Sequence, residues 1–386
     1  MSEAIIVAHL INQRNTGGSM DEISVTTKVA MLGFALGGVF GATAHRTNFC
    51  TMGAISDLVM MEDWNRFRAW LLAIAIGIAG SQALHIMGMI DINESIYLTP
   101  NLGWLGAIIG GLMFGFGMTQ AGGCGSKTLI RLGAGNLKSL VVFLVLGVFA
   151  YMTLRGLIAL ARTEMEGLTN IDVSGIGAAN QGVADFIAVS GVLDIETARL
   201  GATIVVVLFL FWFCFKDSEF RGSKPDILAG LIIGLCVPAG WAITGIVGFD
   251  DFDPVQLASL TFVAPVGNSI QYLMTFTGST IDFGVATVGG VIFGAFISAK
   301  STGEFKLEAF AGSDDMLRHL GGAALMGTGG VMALGCTIGQ GLTGLSTLAI
   351  GSVIAFTGIV VGGILGMKYI EEGSFGGALQ AMLSRG

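Results

Sequence analysis

Charge is scarce in this 386-residue chain: Asp, Glu, Lys and Arg together make up 12%, against about 25% in a typical soluble protein. That excludes a disordered polyelectrolyte and leaves too little polar surface for an ordinary soluble enzyme. Proline is rare, at five residues, and with no triplet period the glycines do not make a collagen. Cysteine is equally sparse. Five residues, an odd number with no close pair, exclude a disulfide framework. Basic residues are outnumbered, giving a net charge of −8, and no Lys/Arg run supplies the basic patch that a nucleic-acid partner needs. No HExxH, CxxC or GxSxG element occurs. The first 26 residues are mostly polar, and the apolar patch at 4–11 has no cleavage site after it, so no signal peptide is expected.

Apolar residues and glycine fill the space that charge leaves. Hydrophobic residues reach 53% and glycines number 61, with a mean hydropathy of +0.78. A bilayer core takes about 20 apolar residues per helix. Runs of that kind lie near 28–44, 67–90, 103–122, 139–160, 197–215, 226–246, 283–299, 319–335 and 349–370. The expected fold is an all-α polytopic membrane protein of about nine spans with re-entrant or half helices. It forms a single transporter domain over 1–386, with approximate halves 27–200 and 201–372. Placing 62–68 in the cytoplasm puts most Lys and Arg on that side, the N-terminus outside and the C-terminus inside. Two outer segments are more than loops: 162–196 is expected to hold a surface helix, and 254–277 reads as re-entrant or interfacial.

The strongest pattern is a glycine-cysteine motif that occurs twice. Counting back from Cys124, glycines stand at 110, 115, 117 and 123; counting back from Cys336, they stand at 322, 327, 329 and 335. Small polar residues follow each cysteine, so the helices are expected to break there. Broken backbone at membrane depth is tolerated where it is buried in protein or lines a polar cavity. The first copy runs outward to inward and the second the reverse, as in inverted-repeat transporters. A weaker match between 37–42 and 289–295 falls on two spans running the same way. Cys50, in His45-Arg-Thr-Asn-Phe-Cys50-Thr-Met-Gly53, has a similar setting, with Asn48 as the expected cap of a half-helix 49–61. Cys214 and Cys236 lie in continuous apolar helix and read as packing residues. Gly33/Gly37/Gly41, Gly290/Gly294 and Gly358/Gly362 are helix-packing faces. The 121–128 stretch lacks both signature glycines of a P-loop, so no nucleotide drive is expected.

The Cys50 stretch, Gly-Gly-Cys124-Gly-Ser-Lys-Thr-Leu-Ile-Arg-Leu-Gly and Leu-Gly-Cys336-Thr-Ile-Gly-Gln-Gly-Leu-Thr-Gly-Leu-Ser-Thr resemble the YeeE/YedE family of bacterial thiosulfate transporters, over roughly 30–370. The resemblance implies an inner-membrane importer with an hourglass pore of full and half helices. Cys50, Cys124 and Cys336 would mark its central path. It also implies a small cytoplasmic TusA-like sulfur carrier as partner, beside membrane lipids and the thiosulfate ion, and no cofactor or metal.

The chemistry of the residues agrees. Thiosulfate has one soft terminal sulfur and three hard oxygens, and a protonated thiol is a soft, weak donor. Several weak sites in series let an ion enter and leave. Free thiols ionise near 8.5, and burial raises that value, so neutral thiols would relay the dianion by S–H···S contacts. Gly123, Gly125 and Gly335 flank the thiols, and glycine N–H groups and half-helix N-termini favour anions. Gln120 and Gln340 are candidate lining donors. Arg46, Lys127 and Arg131 flank the path on the cytoplasmic side. From the residues alone, a carrier of sulfide, sulfite or selenite stays open. A membrane thiol enzyme would need a second cysteine or a base near the first, and none is close in sequence. A metal transporter would need more intramembrane acids and imidazoles than Asp57 and His85.

Overall fold

The computed structural model describes residues 24–250, 254–310 and 312–383. The 4–11 patch read for a leader lies outside the described residues. Among the described residues the chain is almost entirely helical, and its one sheet is two residues deep: β1 (Asn101–Leu102) pairs antiparallel with β2 (Ile171–Asp172).

Eight helical stretches are long and apolar enough to cross a membrane: Val25–Met61, Asn65–Ile86, Trp104–Gly133, Leu137–Arg155, Ile195–Phe215, Lys224–Val247, Phe283–Thr302 and Ile350–Glu372. Two of them are interrupted. The first contains α1 (Val25–Arg46) and α2 (Thr51–Ser56), the latter running on as a π-helical turn, Asp57–Met61. The third contains α4 (Trp104–Gln120) and α5 (Gly125–Gly133), separated at Cys124. Between these lies α3 (Asn65–Ile86). The segment expected as a span at 319–335 falls in α14 (Ser313–Met332), which opens with Asp314 and Asp315 and is rich in glycine. It is less apolar than the eight because Asp314, Asp315, Arg318 and His319 fill its first turns and glycines much of the rest, and it packs chiefly on α4 and α6 (Leu137–Arg155).

The segments at 162–196 and 254–277 are more than loops. The fourth span stops at Arg155, Gly156 bends the chain, and α7 (Leu157–Thr169) and α8 (Val183–Val189) fill much of the 162–196 stretch. After α9 (Ile195–Phe215), α10 (Ser218–Gly222) and α11 (Lys224–Ala242), the chain re-enters the protein. Residues 254–262 carry no regular structure, yet Leu260 and Phe262 are fully buried. Their backbone groups are satisfied by side chains: Thr343 Oγ1 donates to Leu260 O at 2.6 Å and Thr244 Oγ1 to Ala258 O at 2.6 Å. Buried irregular backbone needs such partners. Helix α12 (Val263–Met274) then packs on α6.

Glycine decides how the long helices meet. A Cβ at Gly110 would lie 2.6 Å from Gly329 O, and one at Gly329 would lie 2.6 Å from Gly110 O. Gly117 and Gly322 repeat the reciprocal contact at 2.7 and 2.6 Å. The two motif copies therefore cross antiparallel, each copy's glycines receiving the other's backbone. The weaker match is a packing seam too: α1 and α13 (Phe283–Thr302) run parallel, with Gly37 on Thr287 and Gly294 on Gly38. The final long helix, α15 (Ile350–Glu372), lies along α4, and α16 (Phe375–Leu383) folds against α15.

Candidate functional site

Three breaks with one backbone design place the three cysteines. Two residues before each cysteine stands a left-handed residue: Asn48 (φ 51°), Gly122 (φ 69°) and Leu334 (φ 57°). Cys50 and Cys124 then take an extended conformation, and each of the three cysteines precedes a short helical segment. Those segments are α2 with its π turn, α5, and the stretch containing the π-helical turn Gly339–Gly344. Eleven or twelve residues beyond the cysteine a second left-handed residue closes the unit: Glu62 (φ 58°), Gly135 (φ 97°) and Leu348 (φ 59°). A helix commonly ends on a left-handed residue, so the two reversals bracket a half-helix. The expected cap at Asn48 is not realised. The helix begins after Cys50, and Asn48, with its left-handed backbone, instead accepts from Lys127 Nζ at 3.2 Å.

The breaks bring distant thiols together. Cys50, Cys124 and Cys336 are 6%, 0% and 0% exposed. Cys50 lies beside Cys124, and Thr337, from the Cys336 unit, lies near the Cys124 thiol. Cys124 Sγ lies 3.3 Å from Ser126 Oγ, and Gly339 N–H donates to Cys336 Sγ at 3.4 Å. Gly125 leaves open space beside Cys124, since a Cβ there would meet nothing within 4 Å. Gly123 and Gly335 pack against Lys127 and Gln340 of their own units.

The other candidate residues divide by position. Gln340, 3% exposed, donates to Ala333 O, and its Oε1 is unpaired among the described residues; Gln120 Nε2 is likewise unpaired. Lys127 lies within electrostatic reach of Cys50 and Cys124. Arg131 closes its own break by donating to Gly122 O at 2.6 Å. Arg46 stands apart, exposed and donating to Ser301 Oγ at 3.3 Å. Cys214 donates to Arg68 O, and Cys236 packs in α11.

Sequence reasoning missed Arg66, Tyr97 and Thr337. Arg66 donates to Asn48 O at 2.7 Å and pairs with Asp57 at 2.8 Å, which fastens the Cys50 unit to α3. Tyr97, 4% exposed, sits beside Thr261 and Cys336, and burial pushes its phenol above its ordinary range. Spacing alone gives no distance between such residues, and no signal in the sequence singles them out.

Two cavities lie at opposite ends of the α4–α14 crossing. One, of about 370 Å³, is lined by Tyr97, Arg162, Gln181, Ala333 and Gln340, among others. The other, of about 380 Å³, is lined by Arg131, Lys138, Lys306, His319 and two glutamates, Glu304 and Glu308. The thiol cluster stands between them.

Apolar helices around a buried, broken-helix centre with a cavity at each end define a multi-pass membrane transporter. The model of the family described as Sulphur transport matches residues 46–365, and the chain belongs to that family. It is 26% identical over 330 residues to a thiosulfate transporter, TsuA, of Escherichia coli K12, covering 80% of this chain and 86% of the relative. It is also 26% identical to a TsuA of Spirochaeta thermophila, over 86% of this chain and 96% of the relative. A shorter match, 37% over 106 residues, links it to a probable transporter, YedE, of Salmonella typhimurium, covering 27% of this chain and 23% of that protein. The resemblance read from the three cysteine motifs therefore holds, and the chain is a sulfur-anion transporter.

Proposed function

We propose that this protein imports thiosulfate across a bacterial inner membrane. The path runs from the Tyr97–Arg162 cavity past Cys336, Cys124 and Cys50 towards the Lys127 side. The observation that carries this reading is the convergence of three thiols, each at a helix break, between two cavities. Neutral thiols suit the cargo: a thiolate would repel a dianion, whereas an S–H group can donate to the soft terminal sulfur. Three weak contacts in series release the ion as readily as they admit it. The names of the two TsuA relatives support thiosulfate over sulfide, sulfite or selenite.

The halves 27–200 and 201–372 form one transporter domain, pseudo-symmetric about the α4–α14 crossing, with an hourglass profile. The cavity with Arg131, Lys138 and Lys306 faces the cytoplasm, in keeping with the positive-inside bias. That basic rim is where a TusA-like carrier would receive the ion. Gln120 and Gln340 line the route, and Arg46 acts at the exit rim.

Growth on thiosulfate as sole sulfur source tests the reading, in a bacterium stripped of other sulfur-oxyanion importers. Cys50→Ala, Cys124→Ala and Cys336→Ala are expected to abolish growth, and Cys214→Ala to preserve it. No growth from well-expressed wild type would remove thiosulfate as the cargo.

A further inference from the structure

We infer that Thr337, Ser126 and Thr51 form a second, hydroxyl half of the path that reads the oxygens of the ion while the thiols read its sulfur. This rests on the thiosulfate reading above and adds the residues that set its specificity. Each thiol has a hydroxyl one or two residues downstream: Thr51 after Cys50, Ser126 after Cys124 and Thr337 after Cys336. All three are buried, at 3%, 4% and 0% exposure.

Their hydrogen bonding sets them apart from ordinary helical hydroxyls. A threonine in a helix usually returns its hydroxyl to nearby backbone, and Thr128 does so here, donating to Cys124 O at 3.2 Å. Thr337 and Thr51 make no hydrogen bond of ordinary geometry among the described residues. Thr337 follows Cys336 in the chain and lies near Cys124, a residue of a different break, so it neighbours both thiol positions. Ser126 touches the same thiol at 3.3 Å. A buried hydroxyl without an acceptor is unfavourable. Two of them beside the thiols call for a guest that brings acceptors.

A hydroxyl donates well to a hard oxygen, and a thiol suits a soft sulfur. Sulfide has no oxygen for the hydroxyls, and sulfate has no terminal sulfur for the thiols. An ion held at both ends must carry both, and thiosulfate does. As the ion advances, its sulfur passes from one thiol to the next and its oxygens from one hydroxyl to the next. Thr337, shared by two positions, is the hydroxyl on which most depends.

The test is uptake of radiolabelled thiosulfate by the full-length protein in proteoliposomes. Thr337→Val removes the hydroxyl at constant shape, and Thr337→Ser keeps it. Thr153→Val removes a buried hydroxyl already satisfied by Phe149 O. Thr337→Val is expected to raise KM roughly tenfold, as loss of a hydrogen bond to a charged group does. Thr337→Ser and Thr153→Val should stay within about twofold of wild type, the scatter of a neutral substitution. Sulfite, which has the oxygens alone, should lose its power to compete in Thr337→Val, while hydrosulfide should keep its own. A wild-type KM in Thr337→Val, or a Thr337→Ser form as impaired as the valine form, overturns the inference. If wild type takes up no thiosulfate, the cargo assignment fails. Thermal stabilisation of the purified proteins by sulfite and thiosulfate then decides the role of the hydroxyl. Stabilisation of wild type but not of Thr337→Val upholds it; equal stabilisation, or none, removes it.

Discussion

At the scale of single residues, the backbone reversals carry an energetic signature that can be read directly. Gly122 adopts φ 69° at no steric cost, whereas Leu334 holds the equivalent place at φ 57°, where a side chain costs about 1–2 kcal/mol. Gly122→Ala should therefore lower the melting temperature in detergent, and Leu334→Gly should raise it, each by about 1 kcal/mol of stability. Equal and opposite shifts absent from both would mean that the brackets are not strained. The sequence could not reveal this regularity. The first brackets are Asn, Gly and Leu and the second are Glu, Gly and Leu, so no residue type marks the position. The cysteines were legible because glycine and small polar residues surround two of them. The neighbour of Cys124 was not, because Thr337 lies 213 positions away in the chain and only folding brings them together.

At the scale of elements, the glycines of the duplicated motif are contact surfaces between helices and not hinges. Gly117 meets Gly322 O where a Cβ would be 2.7 Å away. Gly117→Leu must push α4 off α14, at a cost of about 3 kcal/mol or more, and should leave little folded protein in a size-exclusion profile. Gly167→Ala, where a Cβ meets nothing within 4 Å, should leave that profile unchanged. The short helix α10 is held differently. Asp217 accepts from the N–H groups of Glu219 and Phe220 and pairs with Arg68 at 2.9 Å, and these contacts hold its carboxyl below the usual carboxylate range. With the folded-state pKa depressed, its contribution is present in full above that range and is lost as pH falls through the folded-state value. Melting temperatures of wild type and Asp217→Asn should thus differ at pH 7 and converge at acidic pH. The long apolar helices were legible because lipid demands uninterrupted apolar faces. Helix α14 differs in hydropathy because charged residues open it and glycines, which let α4 approach closely, fill its middle.

At the scale of the whole molecule, orientation and energetics meet. With the Arg131–Lys138–Lys306 cavity inside, Ser190 lies outside and Ser218 inside, and both are exposed. A membrane-impermeant maleimide should label Ser190→Cys on intact cells and Ser218→Cys only after permeabilisation; the reverse pattern would invert the topology. For the proposed thiosulfate import, an inward-moving dianion works against an inside-negative potential, at about 5 kcal/mol per 100 mV. Fixed groups along the proposed path, Lys127 beside Cys50 and Cys124 among them, change its barriers and not that end-to-end work, so accumulation depends on what the cytoplasm does with the ion.

The two cavities share no lining residue among those described, and the thiols between them are closed to solvent. For the host cell, this dry septum is a matter of bioenergetics. A transporter whose resting form is an electrical insulator can be made in quantity without short-circuiting the proton gradient. Each passage of cargo must then open a gap that the next moment seals again.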